Sequence, residues 1–534
     1  MRDMKKLLSI VLALVLASGG GVAFAEGTPV LTVAIADRTN VEDYNTNQTT
    51  LFIEETLGVD LQFTIYSSED YNTRINLNVI SGEPLEDIIF GSFGNGMIMD
   101  WVEAGAIVPL TEYYADPEIA PNITESFERL GYDYRGMITM SDGEIYYLPS
   151  LNASYYNENP SKAWMYTPWL EQIGSETPET TEELREVLLQ IVSTDLNGNG
   201  KSDEIGILGF DGVYSQWFSW LMNSFISTSY QKNYMHVEDG VVSFAYTQDA
   251  FRDGVEYIRS LFADNLIATE SLTQDQSSYT NMLNTEDYCA FLPMYSAMYD
   301  MLDPAIQENY HALAPVAGPE GVRYADYVPS TPGCGMVITV DCENPELAFR
   351  VGDLMCSETL SIATRFGWEG QDWDYVRNVE NAEDYVGLFE KFGAYIVVYD
   401  DATFWSGAMQ NRAYMQSGPM ARDYQAAAGM AYTPEMITQF NQNLADGAAL
   451  YQEGGFRPDE YISVLNYTAE EQEVIDEVQA QVEILVEETI ANWLMGNEEL
   501  NDDTWNAFQQ SLVEFGLNDW LACAQAAYDR SMES

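Results

Sequence analysis

From residue 30 to residue 104 the chain alternates short apolar runs with amphipathic ones, and that order limits the folds open to it. Val30 to Ala36 reads as a buried strand, and Thr49 to Leu57 as a helix closed by Gly58. Val59 to Tyr66 is a second strand, Glu69 to Ile80 a helix closed near Gly82, Asp87 to Phe90 a short strand, and Met97 to Ala104 a helix. Strand and helix in strict succession make βαβ units and a parallel sheet, so an α/β fold is expected. Ligands of such sheets sit at the carboxyl ends of the strands. The loops there are Asp37 to Tyr44, Tyr66 to Asp70 and Gly91 to Gly96. The last is glycine-rich, with Phe93 inside it, but lacks a phosphate-loop lysine.

A chain of 534 residues exceeds one ordinary core, so two lobes are expected. The formal net charge is −63, a field that repels nucleic acid and anionic membrane surfaces. Residues 1–25 read as an export signal: Arg2, Lys5 and Lys6, then the apolar run Leu7 to Ala17, then Ala23-Phe24-Ala25 before Glu26. A soluble chain, cleaved after Ala25 and outside the membrane, is expected. The 5 cysteines do not make a disulfide framework. Cys334 and Cys342 are near enough in sequence to pair in an oxidising compartment, and buried free thiols are the expectation for most of the five. His236 and His311 are the only histidines, which argues against a zinc site or a Ser-His-Asp triad.

Asp195-Leu196-Asn197-Gly198-Asn199-Gly200-Lys201-Ser202-Asp203-Glu204 follows a helix opened by the capping box Thr180-Thr181-Glu182-Glu183. Side-chain oxygens recur at Asp195, Asn197, Asn199, Asp203 and Glu204, and Lys201 can offer its backbone carbonyl. Counted from Asp195, this matches the first half of an EF-hand loop, but Gly206 stands where the closing Glu belongs. Two readings stand: a structural Ca²⁺ site closed by Asp203 and Glu204, or a solvated Asn-Gly turn before a strand from Glu204 to Phe210. The density of oxygen donors favours the ion.

An ordered series of segments carries a resemblance. It comprises Ser81-Gly82-Glu83-Pro84-Leu85-Glu86-Asp87-Ile88-Ile89, Ile107-Val108-Pro109-Leu110-Thr111, Asp142 to Pro149, Glu179 to Glu204, Asn344-Pro345-Glu346, Phe366 to Trp373 and Ala526 to Arg530. Together these resemble the family 1 extracellular solute-binding proteins of bacterial ABC importers, in the oligosaccharide- and alginate-binding branch. The resemblance implies a two-lobed periplasmic-binding-protein type II fold. Each lobe would be a mixed, mostly parallel sheet flanked by helices, and the cleft would close by hinge motion. Lobe 1 would hold residues 26–150 and about 311–365, and lobe 2 residues 151–310 and about 366–534. The resemblance also implies structural calcium on Asp195, Asn197, Asn199, Lys201 (through its carbonyl), Asp203 and Glu204. It further implies capture of a sugar or oligosaccharide for the permease subunits of an ABC importer, by a monomer with no catalytic role. Lipid-anchored members place a Cys after the signal where this chain has Glu26, so no lipid anchor is expected.

Sugars present C–H faces to aromatic rings and hydroxyl rims to polar groups. Candidate ligand residues are therefore aromatics in loops or near strand ends: Phe93, Trp217, Trp220, Tyr295, Trp368 and Trp405. Asp37, Arg38 and Glu369 are the polar candidates, while Trp493, Trp505 and Trp520 sit on helix stripes and read as core. A calcium-stabilised glycoside hydrolase or a carbohydrate-binding adhesin would share this composition. A hydrolase needs two carboxylates facing one bond, and no local motif marks such a pair.

Overall fold

The computed structural model describes residues 27–371 apart from 39–40, 131–133, 154–157, 285–289, 296–301 and 303, together with 373–375, 395–397, 412, 417–423, 443 and 446–533. The expected export signal, Cys289 and Trp405 lie outside the described residues. In chain order the strands are β1 (Val30–Ala36), β2 (Asp60–Tyr66), β3 (Ile88–Phe90), β4 (Tyr147–Ala153), β5 (Ala163–Tyr166), β6 (Ile205–Leu208) and β7 (Met235–Glu238). They continue as β8 (Val241–Phe244), β9 (Ala290–Pro293), β10 (Tyr310–Leu313), β11 (Gly333–Ile338), β12 (Trp373–Tyr375), β13 (Tyr395–Val397) and β14 (Met420–Asp423).

Six strands form the main sheet in the order β14-β4-β11-β3-β1-β2. β1 is parallel to both neighbours, with Val30 opposite Asp60 and Val33 opposite Ile88. Leu31, Val33, Ala34 and Ile35 are all buried, as expected of a strand covered on both faces. β11 runs antiparallel to β3 and to β4, which makes the sheet mixed. The helix Gln48–Leu57 ends at Gly58, whose φ of 66° is the left-handed cap that the sequence anticipates. The helix Tyr71–Ser81 buries Tyr71, Ile75 and Val79, one face at four-residue spacing. The helix Pro345–Met355 opens on Asn344, whose Oδ1 accepts from Leu347 N at 3.2 Å.

A second core is built separately. β6 and β9 are parallel, β5 and β10 antiparallel, and β7 and β8 make a hairpin. The helix Thr181–Val192 carries the expected capping box and buries Leu184, Val187, Leu188 and Ile191. The helices Asp249–Ala263 and Ala469–Leu494 pack into the same core through Phe251, Val255, Ile258, Val482, Val486 and Ile490.

The two cores divide the chain differently from the expected lobe limits. Leu313, Val316 and Ala325 lie in the second core, because β10 pairs with β5. The return to the first core therefore comes between 325 and 334 and not near 311. Trp368 and Ala421 lie in the first core, and β14 is an edge strand of its sheet. The expected lobe 2 tail from 366 is thus split, and the second core takes up the chain again from Tyr451. Cys334, Cys342 and Cys356 are free and buried, and Cys523 is free and half-buried, so Cys334 and Cys342 are not paired. No described helix is long and apolar enough to cross a membrane.

Candidate functional site: the cleft between the two cores

Strand direction places the cleft. β3 and β4 are both antiparallel to β11, so β1, β3 and β4 end on the same edge of the main sheet. The chain leaves that edge at Ala153 and enters the second core at Ala163. There an antiparallel bridge sets Ala163 against Met294, directly after β9. The carboxyl ends of β9 and of its parallel partner β6 therefore lie beside the crossing as well. Tyr295 N donates to Lys162 O at 2.9 Å at that junction. Each core thus turns its strand ends toward the crossing, the position where α/β sheets take ligands.

On the first core this edge holds a cavity of about 380 Å³. Its polar lining includes Arg38, Ser68, Asp70, Asn72, Ser150 and Ser417. Asp37 Oδ1 accepts from Ser68 N at 2.6 Å, which ties the loop after β1 to the loop after β2. Arg38 Nε donates to Ser417 Oγ at 3.3 Å. Asp70 Oδ2 accepts from Arg74 Nε at 2.6 Å, while its Oδ1 is buried without a partner. Tyr71 OH donates to Phe90 O at 2.7 Å beneath the loop. A Cβ on Gly91, at the start of the loop after β3, would lie 2.5 Å from Phe93 Cζ, so the Phe93 ring would have to shift to admit one.

On the second core the strand ends hold a smaller cavity of about 40 Å³, whose lining is half aromatic (Phe210, Tyr214, Trp217 and Tyr230) and includes Asp211 and Gln216. Asp211 adopts φ 60°, a left-handed conformation that costs a non-glycine residue of order 1 kcal/mol or more. Burial raises its carboxyl above the ordinary range, and Asp275 adds to the shift. The Tyr214 hydroxyl is buried without a partner. Phe210 packs at a tilt against Tyr279 and Tyr295, with centroids 4.7 and 5.8 Å away.

The sequence candidates separate accordingly. Arg38 lines the first cavity, Asp37 does not line it but binds Ser68, which does, and Tyr295 stands half-buried at the end of β9. Trp217 lines the second cavity but is only 1% exposed, packed edge-on to Phe218 and Phe262. Trp220, 2% exposed, spends its indole N–H on Tyr451 OH at 2.7 Å and lines neither cavity. Phe93 packs on Trp101 at 4.8 Å, inside the first core. Trp368 packs on Phe52 at 5.2 Å and donates to Arg412 O at 2.9 Å, in the first core and away from both cavities. Glu369 is exposed and lines neither. For Phe93, Trp220 and Trp368, packing already occupies the ring faces that a sugar would need. Ser68, Asp70, Asn72, Asp211, Tyr214 and Tyr230 were not anticipated. The only advance signal was that Ser68 and Asp70 fall in the loop after β2.

The Asp195–Glu204 loop lies in the second core between the helix Thr181–Val192 and β6. Gly198 and Gly200 have φ of 76° and 87°, which curl the loop on itself. Asp195 Oδ2 accepts from Gly200 N at 2.9 Å, and Asp203 Oδ1 accepts from Asn199 Nδ2 at 3.0 Å. The bonds from Asn199 and Asn197 hold the Asp203 carboxyl below its ordinary range. Glu204 is buried, and its Oε1 accepts from Leu196 N and Asn197 N at 2.6 and 3.0 Å. Its Oε2 is buried with no partner, which is uncommon for a carboxylate oxygen. The donor set fits Ca²⁺, which accepts amide and carbonyl oxygens beside carboxylates. Among the described residues no group of three or more His, Cys, Asp or Glu gathers as a metal cluster, Asp195, Asp203 and Glu204 included.

Comparison with known proteins agrees with this architecture. The chain is 25% identical over 495 residues, 90% of its length and 86% of the relative's, to the fructooligosaccharide ABC transporter substrate-binding protein FusA of Streptococcus pneumoniae serotype 4 (strain ATCC BAA-334 / TIGR4). It superposes on an HMO-binding, ABC-transporter-associated solute-binding protein of Bifidobacterium longum infantis with a TM-score of 0.76 at 18% identity, covering 95% of this chain and 99% of that one. It superposes on Streptococcus pneumoniae FusA in complex with kestose with a TM-score of 0.67 at 22% identity, covering 94% and 99%. These solved structures share the two-lobed α/β fold. The family model described as bacterial extracellular solute-binding protein matches residues 40–359, and the chain belongs to that family.

Proposed function

We propose that this protein captures an oligosaccharide between its two cores and hands it, uncut, to the permease subunits of an ABC importer. The observation that carries the reading is the pairing of walls at the crossing: a cavity that carries hydroxyl, amide and charged side chains at the ends of β1 and β3, and a smaller one with four aromatic residues at the ends of β6 and β9. Hydroxyl rims match the first, and C–H faces match the second. The relatives named above bind or transport oligosaccharides, which supports the same assignment here. The two cores act as lobes, and the crossings between Ala153 and Ala163 and between Ala325 and Gly333 act as the hinge. Asp195, Asn197, Asn199, Asp203 and Glu204, with the Lys201 carbonyl, would hold a structural Ca²⁺ that ties the end of a helix to β6. The protein works as an exported monomer, its signal removed after Ala25, and performs no catalysis.

Calorimetric titration with a panel of tri- to pentasaccharides, followed by chromatography of the recovered sugar, tests the reading. Binding of at least one intact glycan is expected. Return of shortened sugar would establish a hydrolase instead.

A further inference from the structure

Residues 456–467 have no regular secondary structure, yet the segment is fastened along its length. Phe456 O accepts from Ala325 N at 2.8 Å, and the Arg457 guanidinium lies 4.2 Å from the Tyr327 ring centroid, so the segment starts against the returning crossing. It then runs along the second core. Glu460 accepts from Asp239 N and Gly240 N at 2.6 and 3.0 Å in the turn between β7 and β8, and Lys232 Nζ donates to Ser463 O. Arg530 Nη2 donates to Asn466 O at 2.9 Å, and Ile462, Leu465 and Tyr467 pack in or against that core. The Asn466 side chain reaches the other core. Its Nδ2 donates to Thr139 O at 2.8 Å, and its Oδ1 accepts from Asn95 Nδ2 at 2.7 Å. Thr139 lies between the first-core residues Ile138 and Met140, and Asn95 opens the helix Asn95–Glu103, which buries Ile98, Met99 and Trp101 there. One amide on a well-anchored segment thus ties the two lobes at a point outside the crossings. In the arrangement so tied, the two cavity walls stand apart: first-core segments alone line one and second-core segments alone line the other.

We propose that Asn466 is a latch that holds the cleft open, and that closure on a ligand breaks its bonds to Asn95 and Thr139. Hydrogen bonds weaken steeply with distance and angle, so a rotation of one lobe against the other ends them. The latch then sets how tightly the protein holds its ligand without touching it. This rests on the hinge reading of the two cores and adds a regulating residue to it. Removing both bonds raises the ratio of closed to open protein about tenfold, and apparent affinity rises by the same factor while the open form predominates.

The test compares the wild-type chain with Asn466→Ala and Asn95→Ala, each shown to be folded by a circular-dichroism melt. Single-molecule energy transfer between dyes on the exposed positions Glu55→Cys of the first core and Glu256→Cys of the second reads the open and closed fractions without ligand. Calorimetric titration with kestose, maltotriose and lacto-N-tetraose reads affinity. In Asn466→Ala the ligand-free closed fraction is expected to rise about tenfold, and any glycan that binds is expected to bind more tightly by a similar factor. Asn95→Ala, which spares the bond to Thr139, is expected to show a smaller rise. An unchanged closed fraction in the folded variants overturns the latch, and a fall overturns it too by placing the bonds in the closed form. A rise in the closed fraction with no glycan bound keeps the latch and removes the oligosaccharide reading. One unvarying transfer value in every variant, with or without glycan, removes the hinge reading and the latch together.

Discussion

Ser161 Oγ donates a 2.6 Å hydrogen bond to Asp326 Oδ2, and this bond fastens the outgoing crossing between the cores to the returning one. Asn159 Nδ2 adds a 3.1 Å bond to Asp326 O, and Val328 N donates to Glu158 O at 2.8 Å. Lys162 stands beside this junction, and both it and Asp326 are only 1% exposed. Burial pushes the Lys162 ammonium down to about 7 and the Asp326 carboxyl up to about 6, each partly offset by the opposite charge of the other. Removing one member of a buried pair costs roughly 3 kcal/mol, because the survivor keeps its desolvation cost without its partner. Lys162→Met and Asp326→Asn are each expected to destabilise by about that amount. The double variant should cost clearly less than the sum in urea unfolding. Strict additivity would mean that the two groups do not interact.

The calcium proposal predicts a chelator effect. With the ion about a hundredfold above its dissociation constant, binding adds roughly 2.7 kcal/mol to folding. EDTA should therefore lower the melting temperature by several degrees, and added Ca²⁺ should restore it. Glu204→Gln, which changes the carboxylate bearing the unpartnered Oε2, should abolish most of the difference. An identical melt with and without chelator in the wild-type chain would remove the site.

A third prediction concerns Glu54, which is buried on the helix Gln48–Leu57 and accepts from Leu61 N at 3.0 Å. Burial raises its carboxyl from 4.5 to about 7, so the folded chain holds a proton that the unfolded chain releases between those values. Its stabilising contribution is complete below pH 4.5 and is lost as pH rises through about 7. Glu54→Gln keeps an acceptor for Leu61 and cannot ionise. It should match the wild type near pH 4 and exceed it at pH 8 by up to roughly 3 kcal/mol. Equal stability at pH 8 would mean that the carboxylate is solvated.

Closure predicts a change of shape. Small-angle scattering of the wild-type chain should show a smaller radius of gyration when a tight glycan saturates it, since hinge closure brings the lobes together. An unchanged radius at saturation would replace hinge capture by a rigid cleft.

Trp217 and Trp220 test packing against ligand contact. Both tryptophans are in the second core, so Ala at either position should cost 3–5 kcal/mol in stability, the usual range for buried tryptophan. If Trp220→Ala kept its stability and lost only binding, the ring would be a ligand contact after all.

Local signals carried a good part of the architecture. The alternation of runs from Val30 to Phe90 gave the parallel strands, because burial on both faces demands continuous apolar residues. Gly58 and Gly82 marked helix ends, and Thr180 with Glu183 marked a helix start, because caps are satisfied by neighbours in sequence. The oxygen spacing from Asp195 to Glu204 was legible for the same reason: ten adjacent residues build the whole curl. Contacts between distant segments were not legible. Leu313 joins the second core and Ala421 the first because of strand pairings β10 with β5 and β14 with β4, and no local pattern announces a partner so far away in the chain. Trp368 and Trp220 looked like ligand aromatics in sequence, but burial depends on what the rest of the chain brings against a ring. Asn72 and Tyr230 reached the cavity walls only through folding. Periodicity, caps and turns are properties of neighbouring residues, and the sequence by itself determined them. The cleft and the residues that line it arise where segments hundreds of residues apart meet, and only the tertiary structure decided those.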